Sequence, residues 1–371
     1  MLKILELFGG IGACSKALER LGIDYEIVDY VEIDKYAVKS FNAMHDTNFE
    51  PQDICKWDKD IEVDLVMHGS PCQDISLAGL QKGADEGSGT RSSLMYETIR
   101  IVDKLKPKYV IWENVKNVIS KKHIHNFNNY INKMNELGYT SYYQVLNAKD
   151  YGIPQNRERV FTISIRNDID TGFVFPQKQE LKLKLKDMLE DKVDEKYYLS
   201  EKMINFFYKN EQVQKEKGNG FRFGVSDGNV VAKAVTTRAG SRMDDNFIKI
   251  KNNTKKGYLE AYPGDGIYTN TSTKRGTVQS QSIQTITTFQ DKGVVLENLR
   301  IRKLTPKECW RLMGFSDSDY EKASKCNSNT QLYKQAGNSI VVNVLEAILK
   351  NLLLEGEREI TRGQTSIYDF I

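Results

Sequence analysis

The sequence is poor in the residues that staple or interrupt a chain. Its five cysteines (Cys14, Cys55, Cys72, Cys309 and Cys326) are scattered, odd in number and free of any Cys-x-x-Cys pair. That pattern argues against a disulfide scaffold and a four-cysteine zinc site, and a reducing, cytoplasmic compartment is expected. Seven prolines argue against a low-complexity chain. No apolar run reaches the roughly 18 residues of a membrane span, so no membrane association is expected. The first residues, Met1 to Glu6, read as a strand and not as a signal peptide. Charge of one sign is also lacking: 53 basic and 50 acidic residues leave +3. That excludes a polybasic protein but permits a local basic groove. A hydrophobic share of 40% over 371 residues suffices for one large or two ordinary domains.

What is present changes along the chain. Residues 1–170 alternate strand-like and helix-like segments. Strands are expected at 2–8, 25–32, 63–67, 109–112 and 160–165. Helices are expected at 15–21, 35–44, 92–105 and 125–137. Gly22 and Gly138 suit C-terminal caps, and Pro107 stops the third helix. This alternation predicts a parallel sheet covered on both faces. One Lys/Glu-rich helix is expected over 180–191. Residues 201–298 lack long periodic runs and carry 15 basic and 10 acidic residues, a balance of +5. Ten glycines between Gly218 and Gly293 give that stretch the look of short strands and loops. It also echoes itself, Ala234-Val235-Thr236-Thr237 against Thr285-Ile286-Thr287-Thr288. Helical periodicity returns at 306–313 and 340–354.

Chemistry-bearing residues cluster where strands end. Phe8-Gly9-Gly10-Ile11-Gly12 follows a strand and opens a helix, where glycines admit a ligand and helix N–H groups face an anion. Its spacing is not the dinucleotide fingerprint, which argues against a nicotinamide-dependent dehydrogenase. Glu32 ends the second strand, the position that holds ribose hydroxyls in nucleoside-binding sheets. Asp53 could accept from an exocyclic amine. Cys72, in Gly69-Ser70-Pro71-Cys72-Gln73, lies just past the third strand, where a thiolate could act as nucleophile. Glu113, in Trp112-Glu113-Asn114-Val115, ends another strand beside apolar neighbours that favour its protonated form. Gln155-Asn156-Arg157-Glu158-Arg159 offers two guanidinium forks.

Together with Arg302-Lys303-Leu304-Thr305-Pro306-Lys307-Glu308 and Gln335-Ala336-Gly337-Asn338-Ser339, these blocks resemble the ordered motif set of the bacterial and phage DNA (cytosine-5)-methyltransferases. The resemblance spans 1–170 and 299–350. Three positions depart from it: Glu6 stands for the usual Asp, Ala13 for a frequent Gly, and Asp74-Ile75-Ser76 for the commoner sequence after Cys-Gln.

The resemblance implies an α/β, doubly wound, Rossmann-like methyltransferase domain with a smaller, mostly β and loop, target-recognition domain. The implied boundaries are 1–175 and 299–371 for catalysis and 176–298 for recognition. It implies methyl transfer from S-adenosyl-L-methionine, leaving S-adenosyl-L-homocysteine, to C5 of a flipped cytosine in double-stranded DNA, with no metal. Cys72 would be the nucleophile, Glu113 the acid at N3, Arg159 the holder of the base carbonyl, and Arg157 a support for the loop or intermediate. Phe8, Gly10, Ile11, Gly12, Glu32, Ile33, Asp53, Ile54, Pro71, Leu94, Asn338 and Ser339 would surround the cofactor. Gln73, Ser76, Arg91, Arg238, Lys274, Arg275, Thr285 and Ile286 would meet DNA, with Thr285-Ile286 matching the family's recognition core. A monomer is implied, and a cognate restriction endonuclease would need no direct contact with it. A tRNA-cytosine enzyme of the same chemistry usually carries Pro-Pro-Cys-Gln and a shorter variable region. A catalytically silent DNA-binding subunit would have no need of Cys72, Glu113 and both arginines.

Overall fold

A computed structural model of the chain describes residues 1–71, 91–218, 222–226, 228–242, 245–251, 266–270, 275–279, 292–294 and 299–354. In chain order the first elements are β1 (Leu2–Leu7), α1 (Ala13–Leu21), β2 (Tyr25–Val31), α2 (Lys35–His45), β3 (Leu65–His68), α3 (Met95–Leu105), β4 (Tyr109–Val115), α4 (Ile124–Glu136), β5 (Tyr139–Asn147), β6 (Gln155–Asn156) and β7 (Glu158–Arg166). Then come α5 (Glu201–Glu216), β8 (Val225–Ser226), β9 (Ala232–Lys233), β10 (Phe247–Lys251), β11 (Gly266–Asn270), β12 (Arg275–Gln279), β13 (Lys292–Val294) and β14 (Leu299–Lys303). The last helices are α6 (Pro306–Leu312), α7 (Asp317–Ser324), α8 (Asn329–Asn338) and α9 (Val342–Leu353). Among the described residues no helix is long and apolar enough to cross a membrane.

The chain packs as two units. The first comprises Met1–Leu189, Val231–Ala239 and the chain from Pro306. Its six-stranded sheet has the order β2-β1-β3-β4-β7-β5. The first four strands are parallel, as the βα alternation predicts. The sheet is nevertheless mixed, because β7 is antiparallel to both β4 and β5. Strand β5 carries no such signal: its sequence, Tyr-Thr-Ser-Tyr-Tyr-Gln-Val-Leu-Asn, lacks the aliphatic run of a buried parallel strand, and Thr140 and the four residues Tyr142 to Val145 stay only half-buried. A 3-10 turn at Ala148–Tyr151 follows it, so the chain turns back with no crossover helix.

The core beneath the sheet joins Leu5, Leu7, Val66, Val110 and Trp112 to Val102, Phe127, Tyr130 and Met134 of the covering helices. Local signals explain the helix ends. Gly22 takes a left-handed φ of 64° and caps α1, as expected. Lys106 takes the left-handed conformation just before Pro107 and ends α3. The helix expected at 180–191 is absent. A single 3-10 turn at Leu185–Met188 forms instead. The segment reads Leu-Lys-Leu-Lys-Leu-Lys, a period of two that gives a helix no apolar stripe, and only Leu185 and Met188 become buried.

The second unit comprises Glu190–Val230 and Gly240–Thr305. It is smaller and built largely from short strands, with β14-β10-β8 in one sheet and β12-β11-β13 in another. Phe207 of α5 packs with Phe223, Phe247 and Ile301 in its own small core.

Candidate active site

Because β2, β1, β3 and β4 are parallel, their C-terminal ends share one edge, the place where open α/β sheets bind ligands. β1 leads into the glycine loop. Gly10 and Gly12 adopt φ values of 57° and 75°, accessible to glycine at little cost. A Cβ on Gly12 would lie 2.6 Å from His45 Nε2, and one on Gly9 2.6 Å from the Tyr30 ring. Tyr30 donates its hydroxyl to Gly10 O at 2.6 Å, fixing the loop from the neighbouring strand. Gly12 caps α1 without a side chain, and the first turn of α1 holds no acidic residue. Ile11 is buried, so only its backbone faces the loop, whereas Phe8 is half-buried against the core.

Beneath this loop lies Glu6, buried at the end of β1. Its Oε1 accepts from Ser15 N–H at 3.0 Å and from the Ser15 hydroxyl, fastening β1 to the first turn of α1. Burial pushes its carboxyl up to about 7. Glu32 follows β2. It accepts from Gly10 N–H at 3.2 Å and from Asp34 N–H at 2.8 Å, while burial raises its carboxyl. The adjoining Ile33 is 70% exposed, an unusual setting for an isoleucine. Asp53 caps a 3-10 turn at Ile54–Lys56 by accepting from Cys55 N–H at 3.1 Å, and Ile54 is buried. This loop is pinned by Asp29, which accepts from Trp57 Nε1 at 2.7 Å, Gln52 Nε2 at 2.8 Å and Lys59 Nζ at 2.7 Å. An acid inside the apolar strand β2 is the sequence signal of that anchor.

β3 ends at His68, and Gly69-Ser70-Pro71 carries the chain to Cys72. Cys72, Gln73 and Ser76 lie outside the described residues, as do Gly79, Gly83, Gly87 and Gly89. The approach to Cys72 is fixed by a contact that sequence reasoning missed. Trp112 of β4 donates its indole N–H to Ser70 Oγ at 3.0 Å, with both side chains buried. A buried Trp needs such an acceptor, so a polar residue in the facing loop was the signal. The Trp112 ring also lies parallel to His68, with centroids 5.8 Å apart.

Glu113 is buried on β4. Arg159 Nε lies 3.0 Å from Glu113 Oε1, and a Cβ on Gly69 would be 3.8 Å from Glu113 Oε2. The strand carrying the carboxyl thus meets both the arginine and the loop that leads to Cys72. Burial raises the Glu113 carboxyl, and Arg159 and then Arg157 oppose that rise. Arg157 is buried and points elsewhere. Its guanidinium donates to Val235 O at 3.1 Å, Gly337 O at 3.1 Å and Ser339 O at 2.9 Å. At the end of α8, Asn338 is exposed while Ser339 is buried and donates its hydroxyl to Ile340 O at 3.0 Å. Leu94 is half-buried and packs on the core.

The expected DNA contacts are dispersed. Arg238 is exposed on Val231–Ala239, within the first unit. Arg91 falls in a 3-10 turn and Arg275 in β12. Lys274, Thr285 and Ile286 lie outside the described residues.

Comparison with known proteins agrees with this layout. Residues 2–354 match the family described as C-5 cytosine-specific DNA methylase. The chain is 35% identical to the type II methyltransferase M2.ScrFI of Lactococcus lactis subsp. cremoris, over 95% of this chain and 99% of that one. It is 34% identical to M.HhaI of Haemophilus parahaemolyticus, covering 95% and 94% of the two chains. Among solved structures, the Entamoeba histolytica methyltransferase EhMeth superposes with a TM-score of 0.67 at 17% identity, over 96% of this chain and 99% of that one. The S. pombe Dnmt2 methyltransferase gives 0.64 at 19%, with the same coverage. These two likenesses concern the fold. With its motifs, its sheet and nearly its whole length matched, the chain belongs to the C-5 cytosine-specific DNA methylase family and is a DNA (cytosine-5)-methyltransferase.

Proposed function

We propose that Cys72, Glu113 and Arg159 carry the methyl transfer, and that the segment 176–298 selects the cytosine. The Arg159–Glu113 pair, set against the loop that leads to Cys72, carries this reading. Cytosine C5 is too weak a nucleophile to take a methyl group unaided. Addition of the Cys72 thiolate forms an S–C6 bond and pushes the ring electrons toward N3. Glu113 gives N3 a proton, and C5 becomes the nucleophilic carbon of an enamine. Arg159 Nε–H occupies Oε1, so the acidic proton belongs on Oε2, the oxygen nearer Gly69. Arg159 Nη1 donates to Glu158 O at 2.8 Å, and the guanidinium N–H groups left over hold the base carbonyl oxygen. After C5 has taken the methyl group, N3 gives its proton back to Glu113, the C5 proton passes to water, its electron pair forms C5=C6, the S–C6 bond breaks and the thiolate returns. None of this is possible inside a stacked duplex, so the cytosine must be flipped out.

The family implies S-adenosyl-L-methionine, which supplies an electrophilic methyl group on sulfur. The residues fit it. The N-terminus of α1 has neither a side-chain cap nor an acidic residue in its first turn, which suits the carboxylate of an amino acid. Glu32 accepts two backbone N–H bonds and, as a carboxylate with about four acceptor sites, keeps capacity for two ribose hydroxyls. Phe8 and Ile33 offer apolar surface, with Asp53, Ile54, Pro71 and Leu94 bounding the adenine side and Asn338-Ser339 closing the site. The enzyme acts as a monomer on double-stranded DNA. Gln73, Ser76 and Arg91 follow the strand around the flipped base. Arg238, Lys274, Arg275, Thr285 and Ile286 supply phosphate and base contacts. Transfer of tritium from labelled S-adenosyl-L-methionine to duplex DNA, with tRNA as the control, tests this reading. Label in tRNA and none in DNA would refute it.

A further inference from the structure

The segment Val231–Ala239 is a detour. The chain leaves the second unit after Val230, enters the first, and returns at Gly240. Inside the first unit it is held at several points. β9 pairs in parallel with β6, and Ala232 N–H donates to Pro154 O at 2.8 Å. Gln155 is fully buried and uses both ends of its amide: Oε1 accepts from Val235 N–H at 2.8 Å, and Nε2 donates to Leu312 O at 2.7 Å. Arg157 completes the set by donating to Val235 O, Gly337 O and Ser339 O. Both backbone groups of Val235 are therefore satisfied by two side chains from one short motif. Gly337 allows the fit, since a Cβ there would fall 2.3 Å from Thr237 N and 2.5 Å from Thr236 C.

We infer that Gln155 and Arg157 are positioning residues forming a latch. They lock residues 231–239 onto the C-terminal end of α8 at Gly337–Ser339, and this lock sets how well the enzyme discriminates target from non-target DNA. Packing alone would not need this arrangement. The guanidinium serves these three carbonyls from two separate nitrogens, a span that the single nitrogen of a lysine does not cover. The chain it grips continues at both ends into the unit to which recognition is assigned, while the helix end it grips belongs to the proposed cofactor site. The inference rests on the reading of 176–298 as the recognition segment and deepens it.

The test uses the full chain and a target defined by sequencing its methylation products. Gly337→Ala inserts a methyl group under Thr236 and Thr237 and leaves Gln155 and Arg157 in place. It should lower kcat/KM on target DNA at least tenfold while changing it far less on non-target DNA, so the discrimination ratio falls about tenfold. Both rates are read at saturating S-adenosyl-L-methionine, because Gly337 adjoins Asn338 and Ser339 and a change in cofactor affinity must not enter the ratio. Arg157→Lys should act in the same direction. An unchanged ratio, or a parallel loss on all DNA together with cofactor affinity, overturns the latch. A measurement on the unaltered enzyme stands apart from variant folding: the Ala232 and Val235 amides should exchange hydrogen as slowly as the β4–β7 ladder, and loop-like exchange also overturns it. Failure of the recognition reading is distinguishable, because it would appear as an unmoved target after transplanting 176–298.

Discussion

Arg159 reaches Glu113 on the diagonal of the β4–β7 ladder. Its register partner is Val115, while Glu113 lies opposite Phe161, so the two side chains stand on one face two positions apart. Substituting Glu113 with Gln keeps the shape and removes the acid. The single-turnover rate should fall by roughly 10²–10⁴, the usual worth of a general acid. Arg159→Ala should also slow transfer, and its pH profile is the sharper test. Arg159 holds the Glu113 carboxyl down against burial. Without it the carboxyl rises further, so the alkaline limb of the rate should move to higher pH. A limb that stays put would mean that Glu113 is not the titrating acid.

Glu6 makes stability depend on pH. Its folded carboxyl lies at about 7, above the ordinary value of 4.5. Between these values the folded protein holds a proton that the unfolded chain has lost. Stability from this group is thus fully present below about pH 4.5 and lost as pH rises toward 7, by on the order of 3 kcal/mol. Glu6→Gln keeps an acceptor for Ser15 and removes the titration. Its Tm relative to wild type should therefore rise across that interval and level off above it. Burial holds His45 near 4 and His68 near 3, which act with the opposite sign, but the variant shares both and they cancel in the comparison. A Tm difference independent of pH would contradict the assignment.

These two acids differ in how far the sequence exposed them. Glu113 was legible because a carboxyl in an apolar strand end, ahead of a Gln-x-Arg-x-Arg run, has few uses. The four parallel strands were legible for a similar reason: aliphatic runs flanked by caps have one plausible burial. Strand β5 was not, since its exposed edge position permits tyrosines and threonine in place of aliphatics. The return of 231–239 to the first unit was not either. It depends on Gln155 and Arg157 finding Val235 some 80 residues away, a contact set by side-chain hydrogen bonds that leave no periodicity. The Ser70–Trp112 bond was hidden likewise, in two residues that separately look ordinary.

Glu32 should separate cofactor binding from recognition. Glu32→Ala removes the acceptor for two ribose hydroxyls and releases Gly10 N–H. At roughly 1.5–3 kcal/mol per charged hydrogen bond, the affinity for S-adenosyl-L-methionine should fall at least tenfold in equilibrium dialysis. The sequence preference of residual methylation should be unchanged. Normal affinity with an altered preference would place the cofactor elsewhere.

Recognition should follow the segment 176–298, which carries the basic excess. Transplanting another family member's segment there should bring that member's target with it. Neutralising Lys274 and Arg275 should flatten the dependence of DNA binding on salt, each lost phosphate contact removing about 0.9 from the log–log slope. Thr285→Ala should lower activity on the native target more than it lowers cofactor affinity. An active transplant that keeps its original target would move recognition into the flanks.

The covalent step through Cys72 is the centre of the account, and trapping tests it most directly. A cytosine with fluorine at C5 cannot release that substituent as a proton, so the reaction should stop with the S–C6 bond intact. Incubating the enzyme with S-adenosyl-L-methionine and duplex DNA carrying 5-fluorocytosine at the target should give a denaturation-resistant complex. Peptide mapping should place the base on Cys72, and Cys72→Ser should form no complex while still binding DNA and cofactor. An adduct on Cys14 or Cys309, or substantial methylation by Cys72→Ser, would contradict it.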